Sequence, residues 1–238
     1  MKIVLVGCEY SGTTTLASNI YRWNNEVMDR PLSIVHDHWK IPETWGHPDL
    51  GSSKLKGMTA DEYKQVIGLS SRIKENTQRQ SLYYHIFPNK DINQSFLSVG
   101  LHFDDAIYAP MYFNYGIEGE FDVDRKVVFE NVEEALLRYQ PETLLVLLRA
   151  RPEIIAERMN NAPHEHGVLL EKDIGYVLNR FEEEYESSKF TNKITIDTSD
   201  ISPDETMAEF KRKFEPFMSD RDKLDILVKR AKQKGEWL

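Results

Sequence analysis

In this 238-residue chain, residues 2 to 15 read Lys2-Ile-Val-Leu-Val-Gly-Cys-Glu-Tyr-Ser-Gly-Thr-Thr-Thr15. The run from Lys2 to Gly7 is apolar and β-branched without alternation, which is typical of a strand that is buried on both faces. Gly7 and Gly12 interrupt this pattern, and residues 14 to 23 then read as a helix. A buried strand, a glycine turn and a helix in direct succession predict the beginning of an α/β sheet.

The stretch from Gly7 to Thr15 has the spacing of a Walker A phosphate loop, with both glycines and the closing threonine in place. Glycines let the backbone curl so that its N–H groups face an anion, and the following helix adds its positive end. The Thr14 hydroxyl stands where such loops hold a magnesium ion. The pattern therefore predicts Mg²⁺ with a nucleotide, and ATP is the nucleotide expected. The alternative is an ordinary strand–turn–helix junction. The predicted phosphate-binding residues are Gly7, Ser11, Gly12, Thr13, Thr14 and Thr15.

Thr13 occupies the position at which Walker A loops carry a lysine. That lysine reaches the β- and γ-phosphates and stabilises the charge of the transferred group. We predict that arginines beyond a later strand, at residues 143 to 148, replace it. An alternative for one of them, Arg158, is an ion pair with Glu153 or Glu157 on its own helix. The catalytic arginines predicted in this way are Arg149, Arg151 and Arg158.

The bulk composition is that of an ordinary globular protein, with 40% apolar and 29% charged residues. The net charge of -9 argues against nucleic-acid and anionic-membrane partners, because both require a basic field. The single cysteine, Cys8, excludes an internal disulfide and fits a reducing compartment. No apolar stretch approaches the length of a membrane span. We therefore expect one cytoplasmic domain over residues 1–238, with residues 219–238 as a C-terminal helical extension.

Strands and helices alternate along the rest of the chain, and residues 42 to 56 read as a loop rich in Gly, Pro and Ser. This alternation predicts a P-loop NTPase-type parallel sheet with helices on both faces. Further strands are predicted at residues 33–35, 95–101, 143–148 and 193–196, and helices at residues 59–84, 132–139, 152–159, 171–188, from 202 onward, and in the tail from 220.

Together, these features resemble the deoxyribonucleoside kinase and thymidylate kinase group of P-loop kinases, loosely and up to about residue 217. His36-Asp-His-Trp39 stands where nucleoside kinases carry Glu-Pro-Val and then a tryptophan. The resemblance implies that Asp37 is the base toward the acceptor hydroxyl and that Trp39 binds substrate. Gln65 and Arg72 keep the seven-residue spacing of a base-reading glutamine and an arginine in Leu-Ser-Arg, which implies that both bind substrate from one helical face.

Polar residues follow the second and third predicted strands, whose ends line the same cleft in such a sheet. They are His36, Asp37, His38, His102, Asp104 and Asp105. Imidazole and carboxylate groups clustered there would bind a transition metal. The other interpretation is that they contact substrate, and on that basis His102 and Asp105 are predicted to bind it.

The resemblance implies a phosphotransferase whose partners are a nucleotide and a small acceptor, and whether the chain forms a homodimer is left open. Residues 160–166 stand where the family has an arginine-rich lid, yet they contain no arginine. Two other functions stay open. Residues 10 to 15, Tyr-Ser-Gly-Thr-Thr-Thr, are similar to the Lys-Ser-Gly-Thr-Thr-Trp loop with which sulfotransferases hold their phosphosulfate donor. The second open function is that of a non-catalytic protein that senses a nucleotide or phosphate.

Overall fold

The computed structural model describes residues 1–30, 32–35, 59–86, 95–116, 124–164 and 167–236. Within these residues, five parallel strands form one sheet in the order β2-β3-β1-β4-β5. The prediction of a parallel α/β sheet with helices on both faces is confirmed. The strands are β1 (Lys2–Val6), β2 (Ser33–Val35), β3 (Phe96–Val99), β4 (Leu144–Arg149) and β5 (Asn192–Asp197).

Helices connect the strands and cover the sheet. A π-helical turn, Ala109–Phe113, follows the fourth α-helix. One 3₁₀ turn, Glu171–Asp173, precedes the seventh α-helix, and another, Glu215–Phe217, follows the eighth. The α-helices of the described residues are α1 (Thr13–Val27), α2 (Ala60–Ile67), α3 (Ser71–Ile86), α4 (Leu101–Tyr108), α5 (Arg125–Tyr139), α6 (Pro152–Asn161), α7 (Ile174–Ser187), α8 (Pro203–Phe214) and α9 (Asp220–Lys234).

Strand β1 lies at the centre of the sheet and is buried on both faces, as its uninterrupted apolar run predicts. Because successive strand residues point to opposite faces, Val4 and Val6 enter one apolar cluster while Ile3 and Leu5 enter the other. The first cluster is closed by α3, α4, α5 and α7, and the second by α1 and α8. This double burial fixes the carboxyl end of β1, from which the phosphate loop begins.

The single helix predicted over residues 59–84 is wrong, because the chain forms two helices there. A capping box between Thr59 and Glu62 begins α2, as the sequence predicts. The helix ends at Gly68, whose N–H donates to the Lys64 carbonyl at 2.9 Å. Glycine is a poor residue for a helix interior, and Ser70 starts the next helix by accepting from two following amides.

The sequence patterns also missed α4, which directly follows β3. All eight of its residues are buried, so no polar face interrupts the apolar residues at a helical period. Helix α9 is rich in charged residues, and none of its residues belongs to the two apolar clusters. It is attached by ion pairs, since Asp225 lies 2.9 Å from Arg30 and Lys232 lies 2.8 Å from Asp29. Among the described residues, no helix has the length and apolar character needed to cross a bilayer.

Candidate phosphate-binding site

The loop between β1 and α1 has the backbone shape that its two glycines allow. Gly12 has φ = 99°, a left-handed conformation that is strained for residues with a Cβ. At Gly7 the limit is space, because an added Cβ would lie 2.7 Å from the Leu148 carbonyl oxygen and 2.6 Å from Ser11 Oγ. Tyr10 also has a positive φ, of 68°, and so carries backbone strain within the same loop. Both predicted glycines are therefore required by the geometry of the loop.

The loop presents hydrogen-bond donors to an anion. The Ser11 amide closes a turn by donating to the Cys8 carbonyl at 3.0 Å, whereas the Gly12 amide has no acceptor among the described residues. The first amides of α1 follow, and the first turn of a helix has no internal acceptors for its N–H groups. The Ser11 side chain is buried, and its hydroxyl oxygen has no hydrogen-bond partner in the described part of the chain. An anion at this point would satisfy several of these donors at once.

The three threonines that open α1 differ in exposure. Thr13 and Thr14 are half-buried, and Thr15 is exposed. Thr14 lies in the first turn, where its hydroxyl suits a magnesium ion that also binds phosphate oxygens. Thr13, in the lysine position, has no charge to offer. The residues present thus fit a nucleotide phosphate and its Mg²⁺, but they lack the cation that normally completes the loop.

Two residues behind the loop bind its carbonyl groups. The Arg158 Nη1 atom donates to the Tyr10 carbonyl at 3.0 Å and to the Thr198 hydroxyl at 3.1 Å. Its Nη2 atom donates to the Thr198 carbonyl at 2.6 Å. The Thr198 hydroxyl in turn donates to the Ser11 carbonyl at 2.9 Å. The alternative in which Arg158 pairs with an acid of its own helix is therefore wrong.

The chain that follows α6 folds onto the same loop. One carboxylate oxygen of Glu9 accepts from the amides of Val168 and Leu169, at 3.2 Å and 3.0 Å. The Tyr10 ring stacks on His164 with centroids 4.1 Å apart, and its hydroxyl accepts from the His164 amide at 3.1 Å. Side chains of the phosphate loop thus bind backbone amides of the chain that follows α6, at residues 164, 168 and 169. Sequence reasoning missed Glu9, because a lone acid between two glycines has no diagnostic spacing.

The other two predicted arginines are engaged in ion pairs. Arg149 binds Glu182 of α7 through Nη2. Arg151 makes a two-pronged pair with Asp200, at 2.5 Å and 2.8 Å, and also binds Glu153 at 2.8 Å. Among the described residues, Arg158 is the predicted arginine whose side chain contacts the phosphate loop. A catalytic role for any of the three stays a prediction.

The structure does not bring Gln65 and Arg72 together on one helical face. Gln65 belongs to α2 and Arg72 to α3, and both side chains are exposed. The shared face expected from seven-residue spacing is wrong, because the chain breaks between the two helices. Their predicted role in substrate binding stays untested. Among the side chains of α3 that the structure describes, the buried polar ones are instead Glu75 and Gln78, one turn apart. No spacing in the sequence distinguishes these two from the other polar residues of that helix.

Asp105, in the middle of α4, lies in a buried cluster of charges with Arg125, the first residue of α5. Its Oδ2 atom is 2.8 Å from Arg125 Nε, and its Oδ1 atom accepts from the Tyr115 hydroxyl at 3.1 Å. Arg125 also donates to Glu75 at 2.9 Å and stacks over the Tyr115 ring. Burial raises the pKa of the Asp105 carboxyl to about 6, although the Arg125 charge opposes the change. On the same side of α3 as Glu75, the Gln78 amide nitrogen is buried without an acceptor among the described residues.

His102 has a different environment from Asp105. Its side chain is 1% exposed, and its Nε2 atom lies 3.4 Å from Glu133 Oε1 between aromatic rings. Burial lowers the pKa of His102, whereas its contact with Glu133 favours the protonated form. Glu133 also accepts from the Ser188 hydroxyl and the Lys189 amide, which stabilise its ionised form. His102 and Asp105 thus lie in separate polar clusters and do not share one open cleft.

Asp37 and Trp39, together with the neighbouring histidines of residues 36–38, lie outside the described residues. The predicted base and the predicted aromatic substrate contact therefore stay predictions. Within the part of the chain that the structure describes, no group of three or more His, Cys, Asp or Glu side chains forms a metal site. The transition-metal interpretation has no support from His102 and the acids that follow it.

Solved structures with the same architecture are nucleotide-binding proteins and kinases. The Bacillus subtilis YorR protein, in complex with phosphorylated GDP, has a TM-score of 0.57 at 15% identity, over 92% of this chain and 99% of its own. Thymidylate kinase from Candida albicans has a TM-score of 0.54 at 14% identity, over 90% of this chain and 91% of its own. Deoxyadenosine kinase from M. mycoides with bound dCTP has a TM-score of 0.51 at 10% identity, over 91% of this chain and 100% of its own.

No protein-family model matches the chain, and no curated protein matches its sequence. At identities of 10% to 15%, the likeness to solved structures concerns the fold. It confirms, at that level, the resemblance to nucleoside and nucleotide kinases that the sequence motifs predict. The phosphate loop lies where this fold places it, between β1 and α1. The chain therefore has the P-loop kinase fold of deoxyadenosine kinase and thymidylate kinase.

Proposed function

We propose that this chain is a kinase-like phosphotransferase that moves a phosphoryl group from a nucleotide to a small acceptor. The observation that carries the proposal is the loop from Gly7 to Thr15, whose amide donors and orphaned Ser11 hydroxyl suit a phosphate group. Such donors are oriented before the ligand arrives, so they cost little reorganisation when charge develops. The P-loop kinase fold supports the same assignment.

The donor nucleotide would bind with its terminal phosphates against the Gly12 amide and the first turn of α1. Thr14 would hold the Mg²⁺ ion, which supplies neutralisation of the charge on the phosphate oxygens. Glu9 and Tyr10 would keep the chain after α6 folded against the loop, through the contacts with His164 and Leu169. Exclusion of water by such a covering segment protects the transferred group from hydrolysis.

The acceptor would bind toward the cluster of Asp105, Arg125 and Gln78. A buried amide without a partner and a buried carboxylate offer both a donor and an acceptor to a planar ligand. Two of the solved neighbours were determined with dCTP or phosphorylated GDP, and we infer that a nucleoside or nucleotide is the acceptor class. Asp37 remains the proposed base toward its hydroxyl, and Trp39 a proposed contact.

The missing lysine sets the expected rate. The loss of a charge that meets the transferred group costs several kcal/mol of transition-state stabilisation, on the order of a hundredfold or more in rate. Arg149 and Arg151 are held by Glu182 and Asp200, so each would have to leave an ion pair to replace the lysine. We therefore propose slow transfer, with Arg158 as the one of the three predicted arginines whose side chain contacts the loop among the described residues.

The test combines ligand binding with transfer. Thermal unfolding is measured with ATP, GTP and pyrophosphate, with and without Mg²⁺, and a ligand at about a hundred times its dissociation constant should stabilise the fold by roughly 2.7 kcal/mol. Transfer from radiolabelled ATP to a panel of nucleosides and nucleoside monophosphates is then followed. Thr13→Lys should raise the rate about tenfold or more. Asn25→Lys is the matched control, since it adds the same charge at an exposed position near the other end of α1.

A second candidate function is nucleotide binding without catalysis. It is favoured by the ion pairs of Arg149 and Arg151, because neither arginine is then free to replace the missing lysine at the loop. In that case the chain binds a nucleotide without transferring its phosphate. Nucleotide stabilisation with no transfer in either the wild type or Thr13→Lys would contradict the phosphotransferase proposal and support this sensor function. The absence of stabilisation by every phosphate ligand would contradict both.

A further inference from the structure

The carbonyl groups of the phosphate loop are held from outside by two residues that are far away in sequence. Arg158, on α6, donates to the Tyr10 carbonyl at 3.0 Å. The hydroxyl of Thr198, directly after β5, donates to the Ser11 carbonyl at 2.9 Å and has the Arg149 carbonyl as a second, longer acceptor at 3.1 Å. The two side chains also bind each other, because Arg158 Nη1 lies 3.1 Å from the Thr198 hydroxyl. Thr198 is 4% exposed, so this arrangement is shielded from water.

The direction of these hydrogen bonds determines where the loop amides point. In a planar trans peptide the C=O and the following N–H point in opposite directions. The hydroxyl that fixes the Ser11 carbonyl therefore turns the Gly12 amide to the other side of the loop. That amide has no acceptor among the described residues and is available to an anion. In the same way, Arg158 fixes the peptide whose N–H, from Ser11, closes the turn onto Cys8.

We propose that Thr198 and Arg158 are positioning residues that hold the phosphate loop in its anion-binding form before any ligand is present. In this role, neither residue contacts the nucleotide. The proposal rests on the proposed function for the identity of the ligand, whereas the orientation of the loop follows from the contacts themselves. It also gives Arg158 a role different from the direct charge compensation that the sequence predicts.

The geometry argues for positioning by Arg158 and against direct phosphate contact. Both of its terminal nitrogens already donate to protein oxygens, namely the Tyr10 carbonyl and the hydroxyl and carbonyl of Thr198. Hydrogen bonds from a charged donor are stronger than neutral ones, and a planar guanidinium can serve several acceptors in fixed directions. A lysine at this position would keep the charge but could not span the same three oxygens.

The first experiment measures the loop without any ligand. Thr198→Val keeps the shape of the side chain but removes the hydroxyl, and Thr198→Ser restores it. Hydrogen exchange of the peptide that covers residues 8–14 is expected to accelerate about tenfold in Thr198→Val and in Arg158→Lys, and to return toward the wild-type rate in Thr198→Ser. The control is Thr206→Val, which removes another buried threonine hydroxyl that donates to a backbone carbonyl, in α8.

The second experiment measures pyrophosphate and Mg²⁺–ATP binding by calorimetry in the same variants. We expect affinity to fall about tenfold or more in Thr198→Val and Arg158→Lys, with Thr198→Ser and Thr206→Val within about twofold of the wild type. A general loss of stability would instead affect Thr206→Val as well. Wild-type exchange of residues 8–14 in Thr198→Val and Arg158→Lys would overturn the proposal.

The two experiments separate the two proposals. A wild-type protein that binds none of these ligands contradicts the proposed function, and the exchange measurement then still decides whether the two residues hold the loop. If Thr198→Val does not fold, the comparison of Arg158→Lys with the wild type decides instead. Unchanged affinity with faster exchange would show that the loop is held by these residues but that binding does not depend on it, which also contradicts the proposal.

Discussion

The Nε atom of Arg125 lies 2.8 Å from the Oδ2 atom of Asp105, and both side chains are almost fully buried. The same guanidinium donates to Glu75, which also pairs with Arg79 at 2.9 Å, so two cations and two buried carboxylates form one cluster. Removing one partner of a buried ion pair leaves an uncompensated charge in a medium that solvates it poorly. The cluster therefore stabilises the fold only as a unit, whatever ligand it also binds.

The first prediction concerns the removal of that cation. Arg125→Met should lower the free energy of unfolding by about 3–5 kcal/mol, because the buried Asp105 loses its cation, whereas Glu75 keeps Arg79. Arg151→Met is the control: it breaks a solvent-exposed ion pair with Asp200 and should cost much less stability than Arg125→Met. Urea unfolding of the two variants measures both values. Equal losses in the two variants would contradict the prediction.

The second prediction concerns the titration of Asp105. Burial raises its pKa to about 6, above the ordinary carboxyl value of about 3.9. An acid whose pKa is raised by folding holds its proton more tightly in the native state, so its contribution to stability is present below the ordinary pKa. That contribution is lost as the pH rises through about 6.

The measurement is the unfolding free energy of the wild type and of Asp105→Asn between pH 4 and pH 7. The difference between wild type and variant should fall over this range as Asp105 ionises. His102, whose lowered pKa acts in the opposite sense, is present in both proteins and cancels in the difference. Parallel curves would show that Asp105 does not titrate in this range.

The third prediction separates the two loop glycines. Gly7→Ala should lower the unfolding free energy, because the new Cβ meets the backbone oxygen of Leu148 at 2.7 Å. Gly12→Ala meets no atom within 4 Å and should cost only the strain of its left-handed φ, about 1–2 kcal/mol. Phosphate binding should instead depend on Gly12. We expect Gly12→Val to abolish binding, because its side chain fills the space that the anion needs. Unchanged ligand affinity in Gly12→Val would show that the loop is not the binding site.

The fourth prediction concerns the chain after α6. Glu9→Ala removes the oxygen that accepts from the Val168 and Leu169 amides, so these two amides should exchange with solvent at least about tenfold faster. Glu9→Gln keeps one carbonyl oxygen and should have an intermediate effect. Glu171→Ala changes an exposed acid near the same segment and serves as the control. Exchange at the wild-type rate in Glu9→Ala would mean that other contacts hold this segment.

The frame of the fold could be predicted from the sequence because its signals are local. The apolar run of β1, the glycine spacing and the capping box at Thr59 each lie within a few residues. Helix α4 could not be predicted, because a fully buried helix loses the polar face on which helical periodicity depends. The sequence predicts α2 and α3 as one helix, because a single glycine is only a weak signal for the end of a helix.

The site is less accessible to sequence reasoning, because its contacts join distant residues. Nothing near Arg158 in the sequence indicates that it binds Tyr10 and Thr198, which come from two other elements. The partners of Arg149 and Arg151 likewise come from α7 and from the turn after β5. The sequence predicts each of these arginines as a cation that is free to meet a phosphate. Whether it is free depends on its ion pairs with residues of other elements, which the sequence does not show.

Thr13 belongs to neither apolar cluster, although it begins α1 directly beside them. Its side chain therefore contributes little to whether the chain folds. In the proposed scheme, the same side chain decides how fast a phosphoryl group is transferred. Stability and catalytic power are thus controlled by different residues of one short loop, and selection can act on them separately. Under this proposal, a change at position 13 would alter the rate of transfer while the apolar residues that hold β1 and α1 in place stay the same.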